Sequence, residues 1–306
     1  MTLFQAILLG IVQGLTEFIP VSSTAHLVFA ARAVGLFEGI EEMLKAEQTT
    51  AAIAVIQLGT LLAVLVYFAR DIVNISRAFV VDHLALLRSP TMRNLAGDQA
   101  IDSKRPTSRL SQDAWLGWLV MIGSIPVGIV GLVFKKQIEG TFTKNLWLIA
   151  TMMIVVAILL GIAELVGKRN RSMEDLTIWD ALSVGLAQVL ALIPGSSRSG
   201  STMMGGLFAG QTRETAARFS FLLSIPAIAA SGLLELNEAL IKLPTGTYGS
   251  LAVATVVSGL VGYASIWFLL RFLRTHSTGI FIGYRLIVGV FILLALAGGY
   301  ITAGVS

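Results

Sequence analysis

Long apolar runs separated by short polar segments dominate the pattern along the chain. Six of these runs are long enough, at about 20 residues, to cross a bilayer as helices. They cover Thr49 to Ala69, Ala114 to Phe134, Asn145 to Val166, Arg213 to Leu236, Ser250 to Leu270 and Tyr284 to Ile301. The pattern therefore predicts an all-α polytopic membrane protein with six transmembrane helices.

Two shorter apolar segments, Thr2 to Phe18 and Ile178 to Ile193, each lead to a proline and then to a second helical pattern. At a rise of about 1.5 Å per residue the first extends roughly 25 Å, short of a hydrocarbon core of about 30 Å. We predict two re-entrant hairpins, whose second helices cover Ser22 to Val34 and Ser196 to Ala209. One kinked transmembrane helix is the alternative for the first segment, because neighbouring groups can satisfy backbone freed by a proline.

The two hairpins repeat each other in sequence. GIVQ at Gly10 to Gln13 and IPVSS at Ile19 to Ser23 match GLAQ at Gly185 to Gln188 and IPGSS at Ile193 to Ser197, with a single-residue gap. Each hairpin precedes three predicted spans, and an odd number of spans turns the second half upside down relative to the first. We therefore predict one transmembrane domain over 1–306, built from inverted repeats at 1–166 and 178–306.

Composition supports the membrane assignment. The 306 residues are 55% hydrophobic and only 13% charged, with a mean hydropathy of +0.81. The formal net charge of +4 could suggest nucleic acid, but the basic residues lie in short segments between apolar runs, where they set membrane orientation. The chain contains no cysteine, which excludes disulfides and thiolate metal sites. Nucleic acid is not expected as a partner.

The longest hydrophilic stretch, 70–113, is expected to form a partly disordered cytoplasmic loop without a core of its own. Together with the segments 167–177, 211–218 and 271–285 it gives one side of the protein roughly fifteen Lys or Arg, against about six on the other. That side should be cytoplasmic, so the termini and the mouth of the first hairpin should face outward.

The first hairpin contains polar side chains in an apolar setting, within QGLTEFIPVSSTAHL at Gln13 to Leu27. Gln13 and Glu17 lie four apart on one helical face, and Ser22, Ser23 and His26 can converge with them across the proline turn. A charge at the centre of a membrane helix costs about 2.5–3.5 kcal/mol on insertion scales, so function is the default interpretation. The alternatives are a packing histidine and a buried ion pair that joins the two halves.

The second hairpin has a different character, with SSRSGS at Ser196 to Ser201. Small residues let the backbone approach a ligand, helix N-terminal N–H groups are free, and the guanidinium of Arg198 offers bidentate donation. These features suit a phosphate group, with Ser196, Ser197 and Ser199 as further contacts. A packing surface of small residues is the alternative.

These motifs, together with VIQLGTLLAV at Val55 to Val64 and FSFLLSIP at Phe219 to Pro226, closely resemble those of bacterial undecaprenyl pyrophosphate phosphatase, the membrane enzyme associated with bacitracin resistance. The likeness covers nearly the whole chain except 70–113. It implies hydrolysis of undecaprenyl pyrophosphate to undecaprenyl phosphate and inorganic phosphate, which recycles the lipid carrier for cell-wall synthesis. It also implies a divalent cation and a site reached from the outer face of the plasma membrane.

The resemblance carries the family's site residues onto matching positions of this chain. These positions are Glu17, the Ser-Ser-Thr run Ser22, Ser23 and Thr24, then His26, Ser197 and Arg198. In the family's Glu/Gln-x-x-x-Glu motif the first position here is Gln13, whose amide can coordinate a metal through oxygen but cannot act as a general base. Glu17 and Gln13 are thus the expected ligands of Mg²⁺ or Ca²⁺, which prefer oxygen.

Several alternatives stay open at this point. The nucleophile could be His26, Ser23 or a water molecule activated by His26, and Arg198 would stabilise the charge of the reacting phosphate. A secondary transporter or flippase for a phosphorylated or anionic substrate is the rival function, because inverted repeats with broken helices are a transporter architecture. The expected partners are a polyprenyl diphosphate lipid and the bilayer, and a homodimer is left open.

Overall fold

The computed structural model describes residues 1–37, 42–87, 110–134 and 145–304. These parts fold into eleven α-helices, with no β-strand among them. In chain order the helices are α1 Leu3–Phe18, α2 Ser23–Ala33, α3 Glu42–Tyr67, α4 Ala69–Leu87, α5 Gln112–Val133, α6 Leu146–Val166, α7 Ile178–Val189, α8 Arg198–Phe208, α9 Arg213–Lys242, α10 Tyr248–Leu273 and α11 Gly279–Ala297. The all-α prediction is confirmed for the described residues.

Five helices in the described ranges are long and apolar enough to cross a membrane. They are α5, α6, α10, α11 and the Glu47–Tyr67 part of α3. The sixth predicted span falls on α9, a single helix of 30 residues that is not among these five, so six crossings stay a prediction. The chain is a multi-pass α-helical membrane protein.

Both predicted hairpins are present as a helix, a turn and a second helix. In the first, α1 ends at Phe18 and α2 begins at Ser23. In the second, α7 ends at Val189, earlier than predicted, and a 3₁₀ turn over Leu190–Leu192 carries the chain on to α8. The second helix also begins later than predicted, because Gly195 adopts φ +92° and the chain turns there before it becomes helical.

The N-terminal residues of the two second helices share an unusual backbone conformation. Ser22 and Ser197 are the residues that precede α2 and α8, with φ +77° and +67°. They lie at the same separation along the chain from Gln13 and Gln188, so these two serines match each other without a gap. The sequence match, with its single-residue gap, pairs Ser22 with Ser196. The backbone conformation instead pairs Ser22 with Ser197, so that part of the match is wrong by one residue.

Helix pairings in the two halves mirror each other. The helix α1 packs on α10 as α7 packs on α5, and α3 contacts α10 as α9 contacts α5. The pairs α3 with α9 and α6 with α11 complete the bundle. Glycines permit the closest crossings: a Cβ at Gly59 would overlap the carbonyl oxygen of Thr255, and one at Gly185 would overlap that of Gly123. This packing brings the two hairpins together in the interior.

The predicted loop 70–113 needs correction over its first part. Residues up to Leu87 form the helix α4, and residues 88–109 lie outside the described part of the chain. Ile72, Ile75 and Phe79 recur at three- and four-residue spacing and pack towards the bundle, where the ring of Phe79 lies 5.3 Å from that of Trp118 on α5. The low average hydrophobicity hid an amphipathic helix.

Candidate active site

The two hairpins are joined by a buried ion pair between Glu17 at the end of α1 and Arg198 at the start of α8. The side chain of Glu17 is 5% exposed and that of Arg198 is 19% exposed. Gln13, one helical turn before Glu17, donates from its Nε2 to Glu17 Oε2 at 3.0 Å. The buried ion pair that the sequence offered as an alternative is thus present, and Gln13 lies beside it.

Helix α3 supplies further polar side chains to this cluster. Gln57 Nε2 lies 3.5 Å from Glu17 Oε1, and Thr60 Oγ1 lies 3.4 Å from Gln13 Nε2. Gln57 therefore faces the protein interior. Buried polar groups in an apolar bundle are costly unless they are paired, so this network explains how a carboxylate is tolerated here.

A small cavity lies beside the ion pair and is lined by both hairpins and by α9. Its lining residues are Glu17, Phe18, Arg198, Ser199, Ser220, Phe221, Ser224 and Ile228. Ser199 Oγ lies 3.2 Å from Ser197 Oγ, and the Ser197 hydroxyl also accepts from the backbone N–H of Gly200 at 3.2 Å. The predicted Ser-Arg motif therefore presents hydroxyls and the guanidinium at one point, with Ser220 and Ser224 as neighbours that sequence reasoning missed.

Ser22 and Ser197, the two serines with positive φ, lie at the N-termini of α2 and α8. A non-glycine residue with φ in the left-handed region costs of order 1–3 kcal/mol, and such residues cluster at active sites. Ser22 is fully buried, and its hydroxyl has no hydrogen-bond partner among the described residues. The same holds for Ser196, the residue before Ser197. Both helices begin with N–H groups that have no intrahelical partner. These two N-termini offer donors to an anion that enters between the hairpins.

Arg285 is the largest fully buried side chain in the described part of the molecule. Its guanidinium donates to the carbonyl oxygens of Gly195 and Ser196 at 3.0 Å, of Pro20 at 3.4 Å, and of Met153 at 3.1 Å. One cation thus holds the turns of both hairpins against α6. It forms no ion pair with any carboxylate of the described residues.

The count of basic residues on the cytoplasmic side includes Arg285, as part of the segment 271–285. The structure places Arg285 inside a helix, so that count falls by one. The helix α11 begins at Gly279, five residues before the predicted span, and carries Arg285 into the interior. An arginine inside an apolar helix marks a functional site by default, so the signal was present in the sequence.

His26 belongs to a neighbouring cluster rather than to the Glu17 network. Its Nδ1 lies 2.7 Å from the carbonyl oxygen of Ser22, and its Nε2 lies 2.6 Å from the hydroxyl of Tyr284. The two rings are stacked, with centroids 5.6 Å apart and an interplanar angle of 13°. Within the described residues, His26 makes no hydrogen bond to Glu17 or Arg198.

The remaining predicted residues take different positions. Ser23 is half-buried at the first position of α2, and Thr24 beside it is exposed. Ser196 points its hydroxyl into the protein without a partner. The structure therefore brings the second-hairpin motif to the Glu17 cluster, and keeps His26 at the N-terminus of α2 beside Tyr284.

The donor set beside Glu17 determines whether a divalent cation can be held there. The described residues contain no group of three or more His, Asp or Glu side chains that could hold a metal ion by themselves. Gln13 Oε1 is a buried oxygen without a partner, next to the Glu17 carboxylate. Mg²⁺ is commonly held by one or two protein oxygens together with substrate phosphates. Gln13 and Glu17 fit a cation shared with a bound phosphate group.

The fold defines a polytopic α-helical membrane protein in which the Glu17–Arg198 pair and two helix N-termini meet between two helical hairpins. Residues 6–291 match the family model described as bacitracin resistance protein BacA. The chain therefore belongs to the bacitracin resistance protein BacA family.

Curated relatives share the name undecaprenyl-diphosphatase. The chain is 50% identical to that of Syntrophobacter fumaroxidans over 289 residues, which cover 94% of this chain and 95% of the relative. It is 42% identical to that of Chlorobaculum tepidum over 310 residues, covering 98% and 99%, and 45% identical to that of Mycolicibacterium vanbaalenii over 306 residues, covering 99% and 100%. Similarity thus extends along almost the full chain.

Proposed function

We propose that this protein hydrolyses undecaprenyl diphosphate to undecaprenyl phosphate and inorganic phosphate, and so recycles a lipid carrier for cell-wall synthesis. The observation that carries the proposal is the Glu17–Arg198 pair, held between two helix N-termini inside an apolar bundle. Relatives of nearly full-length similarity bear the name of that activity. A membrane-embedded anion site suits a substrate whose diphosphate is attached to a lipid.

The diphosphate would bind between the two hairpins. Arg198 would exchange part of its contact with Glu17 for phosphate oxygens, to which a guanidinium donates in bidentate fashion. The free N–H groups at the starts of α2 and α8, with the hydroxyls of Ser197 and Ser199, would donate to the remaining oxygens. In phosphoryl transfer most of the catalysis comes from such positioning and charge stabilisation. Arg285 would contribute indirectly, by fixing the turns that present these N–H groups.

A divalent cation, Mg²⁺ or Ca²⁺, would be held by Glu17 and Gln13 Oε1 together with the diphosphate. When bound, it would neutralise charge on the phosphate oxygens. Glu17 would then have two partners in succession: Arg198 in the free enzyme, and the cation when substrate is present. Without substrate, the ion pair keeps the buried carboxylate paired.

His26 would take the proton of the attacking group. Its Nδ1 donates to the Ser22 carbonyl oxygen, which can only accept, so in the neutral ring Nε2 is the basic nitrogen. Direct attack by His26 or by Ser23 are the competing pathways. Ser23 begins α2 beside the unpaired N–H groups, which suits a hydroxyl nucleophile equally well.

Two features of the structure support the proposed membrane arrangement. The mirrored pairings of α1 with α10 and α7 with α5 support two inverted halves, and the equivalent positive-φ serines support the same relationship. With the basic segments inside, α4 and the chain that follows it would lie in the cytoplasm of a bacterium, and the site would open to the outer face of the plasma membrane. A homodimer stays a prediction that sedimentation in detergent would test.

The decisive experiment is phosphate release from undecaprenyl diphosphate by purified protein in detergent micelles. A micelle has no second compartment, so a transporter or flippase would release no phosphate. We expect stoichiometric inorganic phosphate and lipid monophosphate, with the rate reduced by exhaustive chelation and restored by Mg²⁺ or Ca²⁺. Lack of phosphate release by well-folded protein would contradict the proposed hydrolysis, and an unchanged rate after chelation would remove the cation alone.

A further inference from the structure

The hydroxyl of Tyr284 forms a hydrogen bond with the basic nitrogen of His26. Because Nδ1–H is directed at the carbonyl of Ser22, Nε2 of the neutral ring carries the lone pair, and Tyr284 donates to it at 2.6 Å. The nearly parallel rings, 13° apart, hold the two side chains in this arrangement. His26 therefore reaches any reactant through Nε2 only by breaking this bond or by acting through the phenol.

Tyr284 is also the more accessible member of the pair. Its side chain is 42% exposed, whereas His26 is half-buried. It directly precedes Arg285, whose guanidinium contacts Pro20 and Gly195 at the turns of the two hairpins. The phenol oxygen thus lies beside His26 in the first turn of α2, close to a helix N-terminus where the phosphate is expected.

We propose that Tyr284 is a catalytic residue that relays a proton from the attacking water to Nε2 of His26. This proposal rests on the hydrolysis proposed above and deepens it. A phenol hydroxyl can accept one hydrogen bond while it donates another through the same oxygen, which is what a relay requires. The relay lets the base act without leaving its two hydrogen bonds.

The step balances in atoms and charge. An O–H bond of the water breaks and its proton moves to the Tyr284 oxygen, while the phenol's own proton moves to His26 Nε2. The water oxygen forms a bond to the terminal phosphorus as the bond from that phosphorus to the bridging oxygen breaks. The electron pair of that bond stays on the bridging oxygen, which leaves as part of the lipid monophosphate. His26, now an imidazolium, releases its proton after inorganic phosphate departs.

The relay distinguishes direct attack by His26 from attack by water. If His26 attacked phosphorus directly, the Tyr284 hydroxyl would cover the attacking lone pair and its removal would leave the rate unchanged or raise it. If Tyr284 relays a proton to His26, removal of the hydroxyl deletes the acceptor of the water proton. General base catalysis contributes about 10²–10⁴-fold, which sets the size of the expected loss.

The test compares Tyr284→Phe with the parent protein in micelles. Phenylalanine keeps the ring stacked on His26 and removes only the hydroxyl. We expect kcat for phosphate release to fall about 100-fold or more, with KM within about twofold. Tyr263→Phe is the matched control, because Tyr263 is 45% exposed and its ring lies 5.2 Å from that of Tyr67, and its kcat should not change.

Rates in mixtures of H₂O and D₂O provide a second readout, and the curve of the parent protein alone already tests the relay. Two protons move together in the relay, so a plot of the parent's rate against the deuterium fraction of the solvent should be curved. The same plot for Tyr284→Phe should be a straight line. A parent-like rate for Tyr284→Phe, or a linear dependence in the parent when chemistry limits the rate, would overturn the relay. Absence of phosphate release by the parent protein itself would instead contradict the proposed function.

Discussion

Glu17 and Arg198 form an ion pair although 181 positions separate them in the chain. Each comes from a different hairpin, and each alone would be an expensive charge in an apolar bundle. Their pairing offsets part of that cost in the free protein and brings an acidic and a basic group to one point. The proposed catalytic centre and the contact between the two hairpins thus share the same two side chains.

Arg198→Ala is expected to lower the rate of phosphate release by about 100-fold or more, because the guanidinium stabilises charge that develops in the transition state. Arg198→Lys should retain part of the rate, since an ammonium keeps the charge but lacks the bidentate fork. Phosphate release in micelles measures both. Arg274→Ala is the control, because the Arg274 side chain is 62% exposed and pairs with Glu214. A comparable loss of rate in Arg274→Ala would argue against a specific role for Arg198.

Gln13→Glu should strengthen cation binding, because a second carboxylate would lie one helical turn from Glu17. The two like charges repel each other unless a cation lies between them. We expect half-maximal activity at a cation concentration roughly tenfold lower, measured by titration of Mg²⁺ into chelated protein. Gln188→Glu, at the equivalent buried position of the second hairpin, should leave the cation requirement unchanged. Equal requirements in the parent and Gln13→Glu would contradict the assignment of Gln13 as a ligand.

Gly59→Ala should destabilise the bundle, because the new methyl group would overlap the Thr255 carbonyl at the crossing of α3 and α10. Overpacking of this kind costs about 1–3 kcal/mol. Gly128→Ala is the matched control, since nothing lies within 4 Å of its Cβ position, and it should be neutral or stabilise by up to about 1 kcal/mol. Unfolding midpoints in detergent compare the two. A midpoint for Gly59→Ala equal to that of Gly128→Ala would show that the crossing has room for a methyl group.

Arg285→Met should disorder the turns of both hairpins, because it removes the donor to several carbonyl oxygens. Each buried group left unpaired costs about 1–3 kcal/mol, offset in part by relief of a buried charge. We expect a lower unfolding midpoint and loss of phosphate release even at temperatures where the variant stays folded. Arg218→Met serves as the comparison, because Arg218 also forms a polar contact, with Asp71, but its side chain is 38% exposed. Full activity in folded Arg285→Met would exclude the positioning role.

Local patterns in the sequence predicted much of the fold. Apolar run length gave the membrane class and the positions of five long apolar helices, and the Ile-Pro turns gave both hairpins. The amphipathic helix α4 was missed, because its charged residues lowered the average hydrophobicity of a segment whose apolar side chains lie on one face. Boundaries at the second hairpin shifted by a few residues, because the conformation at Gly195 depends on close approach to α6 and not on local preference.

The sequence by itself determined which residue types the site contains, since a carboxylate, a guanidinium and a hydroxyl run in apolar surroundings are rarely neutral in function. Only the tertiary structure decided their grouping. It paired Glu17 with Arg198, directed His26 to Tyr284, and drew Arg285 from an apparent loop to the turns of both hairpins. The physical reason is that a chain pattern records spacing within one helix, whereas contacts between α1, α8 and α11 depend on how those helices cross.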